Sequence, residues 1–213
     1  MMRIIGHALF VTLLALLAAG ATQTSAQEAQ TLTAELKGDQ VDVSVNGTLF
    51  TSYKCSHEQK YPYFWPVVGP NSGKSVTTET SEPYPHHHSV FFGCDRVNGG
   101  NYWQDVNERG QILSQGPEIV KASGEQIVIE DECLWKLPDK DPVIRDTRKI
   151  TISAPDKGTR FIDFEITLIP LVDIKIEKTN HSLFSARMVP ELSVESGGTL
   201  INAEGKTSEK GTF

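Results

Sequence analysis

Lys149-Ile150-Thr151-Ile152-Ser153, the turn Pro155-Asp156-Lys157-Gly158 and the return run Arg160-Phe161-Ile162-Asp163-Phe164-Glu165-Ile166-Thr167-Leu168-Ile169 decide the fold class. The first run alternates polar and apolar side chains, the period of a strand with one buried face. Pro, Asp and Gly supply turn chemistry. The return run is rich in β-branched and aromatic residues, which suit a pleated surface. The three pieces together predict an antiparallel hairpin.

The same grammar recurs outward from this hairpin. Upstream, residues 126–137 form a long β-rich run. Near the start, Leu32-Thr33-Ala34-Glu35-Leu36 and Val41-Asp42-Val43-Ser44-Val45 alternate on either side of Lys37-Gly38-Asp39-Gln40. Asn46-Gly47 is a further hairpin turn, leading into residues 48–53. Downstream, residues 172–177, 183–189, 192–195 and 199–201 are shorter strand candidates. After the first 26 residues no 12-residue window carries a 3.6-residue period. Many short strands at close spacing predict an all-β protein, an antiparallel β-sandwich.

The N-terminus reads as an export signal. Residues 1–6 carry one charge, Arg3, residues 8–19 are a short apolar run, and Thr24 and Ala26 fit the −3 and −1 positions of a cleavage site. The run is too short to span a bilayer. Cleavage after Ala26 would leave residues 27–213, 187 residues (213 minus 26), enough for one domain with its own core. Losing Arg3 moves the formal charge from −7 to −8. An acidic chain without basic clusters argues against nucleic acid and anionic membranes as partners. Export predicts a periplasmic or extracellular protein and permits a disulfide. Cys55, Cys94 and Cys133 allow at most one bridge, and three buried thiols fit equally well.

One region departs from the strand grammar. Residues 57–110 are rich in Pro, Gly, Asn, Ser, His and aromatics, and long loops on a β scaffold are where function concentrates. At its centre lies Pro85-His86-His87-His88-Ser89-Val90-Phe91-Phe92-Gly93. On an extended segment His86 and His88 share one face and His87 takes the other. Such a pair suits two metal ligands, with a third from His57, His181, Asp95 or Glu204. It equally suits a sugar site, where an imidazole binds or protonates a hydroxyl and Trp65, Tyr102 and Trp103 offer stacking faces. A structural triplet is the third alternative. Asp95 and Glu204 are the candidate partner carboxylates, and Asn98 and Arg187 complete the candidate binding residues. Asn98-Gly99-Gly100 is also a turn that would present Trp103 to the core. Gly69-Pro70-Asn71-Ser72-Gly73-Lys74-Ser75 is no phosphate loop, because Val68 stands where its first glycine belongs and no helix pattern follows. Asn46-Gly47-Thr48 and Asn180-His181-Ser182 fit the glycosylation acceptor pattern.

Several stretches together resemble a known family. They are Lys60-Tyr61-Pro62-Tyr63-Phe64-Trp65-Pro66-Val67-Val68-Gly69-Pro70, the His segment with Asp95, Val97-Asn98-Gly99 and Tyr102-Trp103, residues 184–192, and Ile201-Asn202-Ala203-Glu204-Gly205. They are similar to the bacterial exported proteins labelled PmoA-like, or methane oxygenase PmoA, over about residues 45–213. Tyr84 stands where that family usually has His, and His88 where it often has Arg or Gln. The resemblance implies further strands beyond Phe213, and hence a sandwich incomplete at its C-terminus. The proline-aromatic and His segments are also distantly similar to galactose-mutarotase-like supersandwiches, in which histidines and a carboxylate work on sugars.

These readings support three functional expectations. The first is a carbohydrate-active or carbohydrate-binding protein taking a small-molecule or glycan ligand at a His and aromatic cleft. The second is a metal-dependent oxidoreductase using His86 and His88, as the label implies. The third is a non-catalytic binding module. No residue pattern names a cofactor.

Overall fold

The computed structural model describes residues 30–80, 86–104, 106–179, 181 and 183–207. The export signal expected at residues 1–26 lies outside them, as do Tyr84, Pro85, Asn180 and Ser182. Among the described residues there are twelve strands: β1 (Leu32–Lys37), β2 (Gln40–Val45), β3 (Thr48–Lys54), β4 (Tyr63–Val67), β5 (Val90–Phe92), β6 (Gln111–Ser114), β7 (Glu118–Lys121), β8 (Ser123–Gly124), β9 (Gln126–Lys136), β10 (Ile144–Ser153), β11 (Phe161–Pro170) and β12 (Phe184–Ala186). They form two antiparallel sheets packed face to face, the sandwich that the alternation predicts. The larger runs β12-β5-β4-β3-β2-β1-β8, and the smaller runs β11-β10-β9-β6 with β7 also beside β9.

The hairpin that decides the fold class is present as β10 and β11, paired without interruption from Ile144 opposite Pro170 to Ser153 opposite Phe161. β10 starts five residues earlier than the alternating run suggests. Its first half puts Asp146 and Arg148 on the inward face, so the polarity period vanishes there while the burial period persists. Across the register, Arg148 lies opposite Asp131 of β9 and Asp146 opposite Cys133.

These inward polar residues divide the interior. On one side Ile127, Ile129, Ile150 and Ile152 pack with Val41, Val43, Phe50 and Tyr53 of the larger sheet. On the other, Trp135 and Ile144 pack with Tyr61, Phe91, Tyr102 and Trp103. Between them Arg148 donates Nε to Asp146 Oδ1 at 2.7 Å and Nη2 to Oδ2 at 2.9 Å. Trp135 Nε1 also donates to Asp146 Oδ2 at 2.6 Å. Asp131 accepts from Tyr53 Oη at 2.7 Å and Ser114 Oγ at 2.8 Å. A buried charge is tolerated when paired and hydrogen-bonded in this way.

At the Asn46-Gly47 turn both residues have positive φ, 50° and 79°, as the tight hairpin turn matching strand twist requires. The C-terminal third departs from expectation. Residues 172–177 form no strand, making a single bridge between Ile176 and Val97. Residues 192–195 fall in two 3-10 turns, Pro190–Leu192 and Val194–Ser196, and 199–201 reduce to one bridge between Ile201 and Thr207. Residues 183–189 shorten to β12. Their β-prone side chains meet no neighbouring strand along their length, and a strand needs a ladder to satisfy its backbone. Among the described residues sixteen large apolar side chains are exposed, and eleven of them lie between Leu168 and Ile201, so the core is drawn from the earlier strands. No described helix is long and apolar enough to cross a membrane.

Candidate functional site

β5 is followed by Gly93, where the backbone passes so close to Tyr102 that a Cβ would lie 2.6 Å from the Tyr102 carbonyl oxygen. The chain continues through Cys94, Asp95 and Arg96 into a two-residue turn at Asn98 and Gly99, both at positive φ, 48° and 76°. Val97 and Gly100 close that turn with reciprocal backbone hydrogen bonds of 3.1 and 2.8 Å. Asn101 Oδ1 then accepts from Trp103 N at 3.0 Å and Gln104 N at 2.9 Å. This local chemistry fixes the backbone at Trp103, as the turn reading predicts.

A second segment is strapped onto this loop. Asn98 donates Nδ2 to the Asp173 carbonyl at 2.9 Å and accepts from Lys175 N at 2.8 Å through Oδ1. Arg96 accepts from Glu177 N at 3.1 Å through its carbonyl and donates Nη1 to the Lys178 carbonyl at 3.0 Å. The strap delivers Thr179 and His181 to Asp95. His181 Nδ1 lies 2.8 Å from Asp95 Oδ2, and Thr179 Oγ1 donates to the same oxygen at 2.9 Å. An ionised carboxylate can only accept, so Nδ1 carries the hydrogen of this contact, and in a neutral ring Nε2 is then an acceptor. The ring lies flat against Trp103, centroids 5.4 Å apart and planes 20° apart, and Trp103 in turn meets Phe91 edge-on at 4.7 Å.

Two polar atoms beside His181 are buried without a hydrogen-bond partner among the described residues: Asp95 Oδ1, an acceptor, and Trp103 Nε1, a donor. Asp95 is only 2% exposed and Trp103 4%. Buried polar groups are nearly always paired, and exceptions call for an explanation.

The His triplet is built differently from expectation. Strand β5 starts only at Val90, and His86 opens the segment as a turn. His86 and His87 rings therefore touch edge to face at 4.4 Å, instead of pointing to opposite faces. His88 stacks on Tyr63 at 4.5 Å, meets Tyr61 edge-on at 5.8 Å, and sets Nδ1 3.0 Å from the Glu79 carbonyl. Burial holds it in the neutral form, below the usual histidine range, against the opposing pull of Glu79. His88 is thus committed to packing. Tyr61 Oη donates to the His86 carbonyl, anchoring the start of the segment. His87 is pushed down to about 4, first by burial and then by His86, Arg187, His181 and His88 around it.

The other expected site residues lie in varied settings. Tyr102 is 1% exposed and packs on Trp135 at 5.3 Å, so it offers no stacking face. Trp103 gives one face to His181. Trp65 is half-buried with Lys54 Nζ over its ring at 5.0 Å. Asn98 serves the strap. Glu204 is exposed on a turn and ion-pairs Lys206 at 2.7 Å. Arg187 extends from β12, its main-chain N–H donating to the Ser89 carbonyl at 2.6 Å. His57 Nε2 is taken by the Ser114 carbonyl at 2.7 Å. Among the described residues no three His, Cys, Asp or Glu side chains converge as metal ligands. The three cysteines are buried free thiols. Sequence reasoning named His181 only as a possible ligand and missed His87 and Thr179. The strap residues Lys175 and Glu177 fall in a run that reads as a strand, and neither they nor Lys178 gave a signal of their destination.

A hollow of about 450 Å³ lies on the smaller sheet, lined by Glu118, Glu130, Lys149 and Glu165 among others. These four stand opposite one another across β7, β9, β10 and β11. A smaller one, about 250 Å³, lies by Phe50 and Arg160. Neither touches the His cluster.

Residues 40–212 match the profile of a family of unknown function, DUF6807. The chain belongs to that family. No curated protein and no solved structure matches it. The DUF6807 profile spans the strap, the loop and the His segment together.

Proposed function

We propose that this DUF6807 protein is exported to the periplasm or beyond and is carbohydrate-active or carbohydrate-binding, with His181 held by Asp95 as its working group. The observation that carries this is the imidazole of His181 held through Nδ1 by the buried Asp95 carboxylate at 2.8 Å and stacked on the Trp103 ring. An oriented imidazole can take the proton of a hydroxyl, and an indole face suits the apolar face of a sugar ring. Chemically, His181 Nε2 takes the proton of a substrate hydroxyl and becomes imidazolium. The Asp95 carboxylate, 2.8 Å from Nδ1, stabilises that charge and holds the tautomer. The metal-dependent oxidoreductase expectation draws no support from ligand geometry, since His88 faces Tyr63 and the Glu79 carbonyl instead of pairing with His86.

The test is glycan binding and turnover by the wild type and by Asp95→Asn, His181→Ala and Trp103→Phe, each checked for folding by circular dichroism. The expected result is loss of affinity by 10-fold or more in each folded variant and, if a product forms, a rate drop on the order of 10²–10⁴ for His181→Ala. Binding with no product over long incubation would make the protein a non-catalytic module. Unchanged affinity in all three variants would remove the proposal.

A further inference from the structure

Among the described residues β11 is the one long edge strand. It ends the smaller sheet and pairs with β10 alone. The larger sheet ends on β12 and β8, of three and two residues, and such short ends leave little backbone to recruit another chain. β11 is ten residues long, and its register with β10 is unbroken, so no bulge twists it away. It carries no Lys or Arg, and its proline, Pro170, comes at the very end. None of its ten residues is buried, although β9 and β10 beside it alternate buried positions. Its inward face is apolar along its length: Ile162, Phe164, Ile166 and Leu168 stand opposite the inward residues of β10. Leu168 is exposed, and so is Phe184 of β12, whose ring meets Phe164 at 4.8 Å. Both sheets therefore end on the same side of the sandwich, with apolar side chains exposed there.

We propose that this edge is a homodimer interface: β11 pairs antiparallel with β11 of a second copy about a two-fold axis at Ile166, joining the two smaller sheets into one. The occupant follows from the strand's own sequence. A two-fold axis that sets a strand antiparallel to its own copy stands perpendicular to the sheet, so both inward faces stay on one side. Opposite residues then share a face, and the axis must pass at a residue instead of between two. An axis at Glu165 would set the two Glu165 carboxylates opposite each other, and one at Phe164 would set Asp163 against Glu165. Like charges directly opposite destabilise a ladder. An axis at Thr167 would pair residues 164–170, where one at Ile166 pairs 162–170. At Ile166 the inward pairs are Ile166 with its own copy, Phe164 with Leu168 and Ile162 with Pro170, all apolar. On the outward face Glu165 meets Thr167 and Asp163 meets Ile169, so no charge faces its like. The two Glu165 fall on a diagonal, each with Lys149 opposite it on β10 to offset its charge. Such a contact uses both edges and closes at two copies.

The experiment is sedimentation velocity of the purified protein over a range of concentrations, at low and high salt, with thermal unfolding as the folding control. It is run on the wild type, Thr167→Glu, Thr167→Lys and Ile166→Lys. Thr167 is exposed and stands opposite Thr147 of β10, so its substitution leaves the core alone. We expect a concentration-dependent monomer–dimer equilibrium in the wild type. Thr167→Glu places a carboxylate opposite Glu165 twice in the dimer and weakens it by about 10-fold at low salt. Thr167→Lys places an ammonium there and tightens the dimer, and both effects shrink at high salt. Ile166→Lys sets two like charges on the axis and abolishes the dimer. A folded wild type that is monomeric at every concentration would leave this edge to another strand or partner and overturn the proposal. A dimer unmoved by both Thr167 variants would overturn β11 as its interface. Assemblies that grow beyond two copies would overturn the closed two-fold contact.

Discussion

His88 and His181 carry the same imidazole in opposite settings. His88 is wrapped by Tyr61 and Tyr63 and tied to the Glu79 carbonyl, so it packs. His181 is tied through Nδ1 to a buried carboxylate. His87 sits between them electrostatically, and its folded-state pKa of about 4 lies below the ordinary 6.5. The sign follows. The fold favours neutral His87, so its contribution to stability is complete above pH 6.5 and is lost as pH falls through about 4. Glu79 works in a lower window. Burial resists its ionisation, but hydrogen bonds from Lys54 and Tyr63 win and hold its pKa below 4.5, so its contribution disappears only at more acidic pH. Thermal melts between pH 7.5 and 4 should therefore show stability declining below pH 6.5 in the wild type, with a shallower decline in His87→Asn. An identical slope in both would contradict the assignment. None of this was legible in the sequence, where three consecutive histidines look alike and their differences come from neighbours such as Tyr63 and Arg187.

At the scale of elements, most strands were legible and the strap was not. β1 to β3 and the β10–β11 hairpin announce themselves by alternation and by turn residues whose positive φ the fold uses. The first half of β10 hides because Asp146 and Arg148 face inward, a polar layer that no apolar period reveals. Residues 172–177 have strand composition, but Asp173, Lys175 and Glu177 bond to a loop, and Asp95 and His181 lie 86 positions apart in the chain. Contacts at such separation leave no local trace. The junction between β5 and this loop gives a sharp prediction. Gly93→Ala would drive its Cβ to 2.6 Å from a backbone carbonyl, which must shift and carry Asp95 with it. Gly47→Ala meets no atom within 4 Å and carries only the penalty of a left-handed φ, about 1 kcal/mol. Urea unfolding should show Gly93→Ala as clearly the more destabilising, with ligand binding impaired as well. Equal and small effects would contradict the close approach.

At the scale of the molecule, the two sheets leave two rival places for a ligand. One is the Asp95–His181–Trp103 group at the end of β5, and the other is the acidic hollow of about 450 Å³ on the smaller sheet. The hollow is lined by Glu118, Glu130 and Glu165 around Lys149, a charged row with no aromatic face beside it. The sandwich itself fixes neither choice, because fold does not specify chemistry. The measurement that separates them is ¹H–¹⁵N NMR of the imidazoles and backbone during titration with galactose, glucose and their oligomers. The account predicts that His181 Nε2 and the Trp103 indole N–H shift together while the His181 Nδ1–H bond to Asp95 persists. Shifts confined to the strands around Glu130 and Lys149, with His181 and Trp103 unmoved, would contradict it.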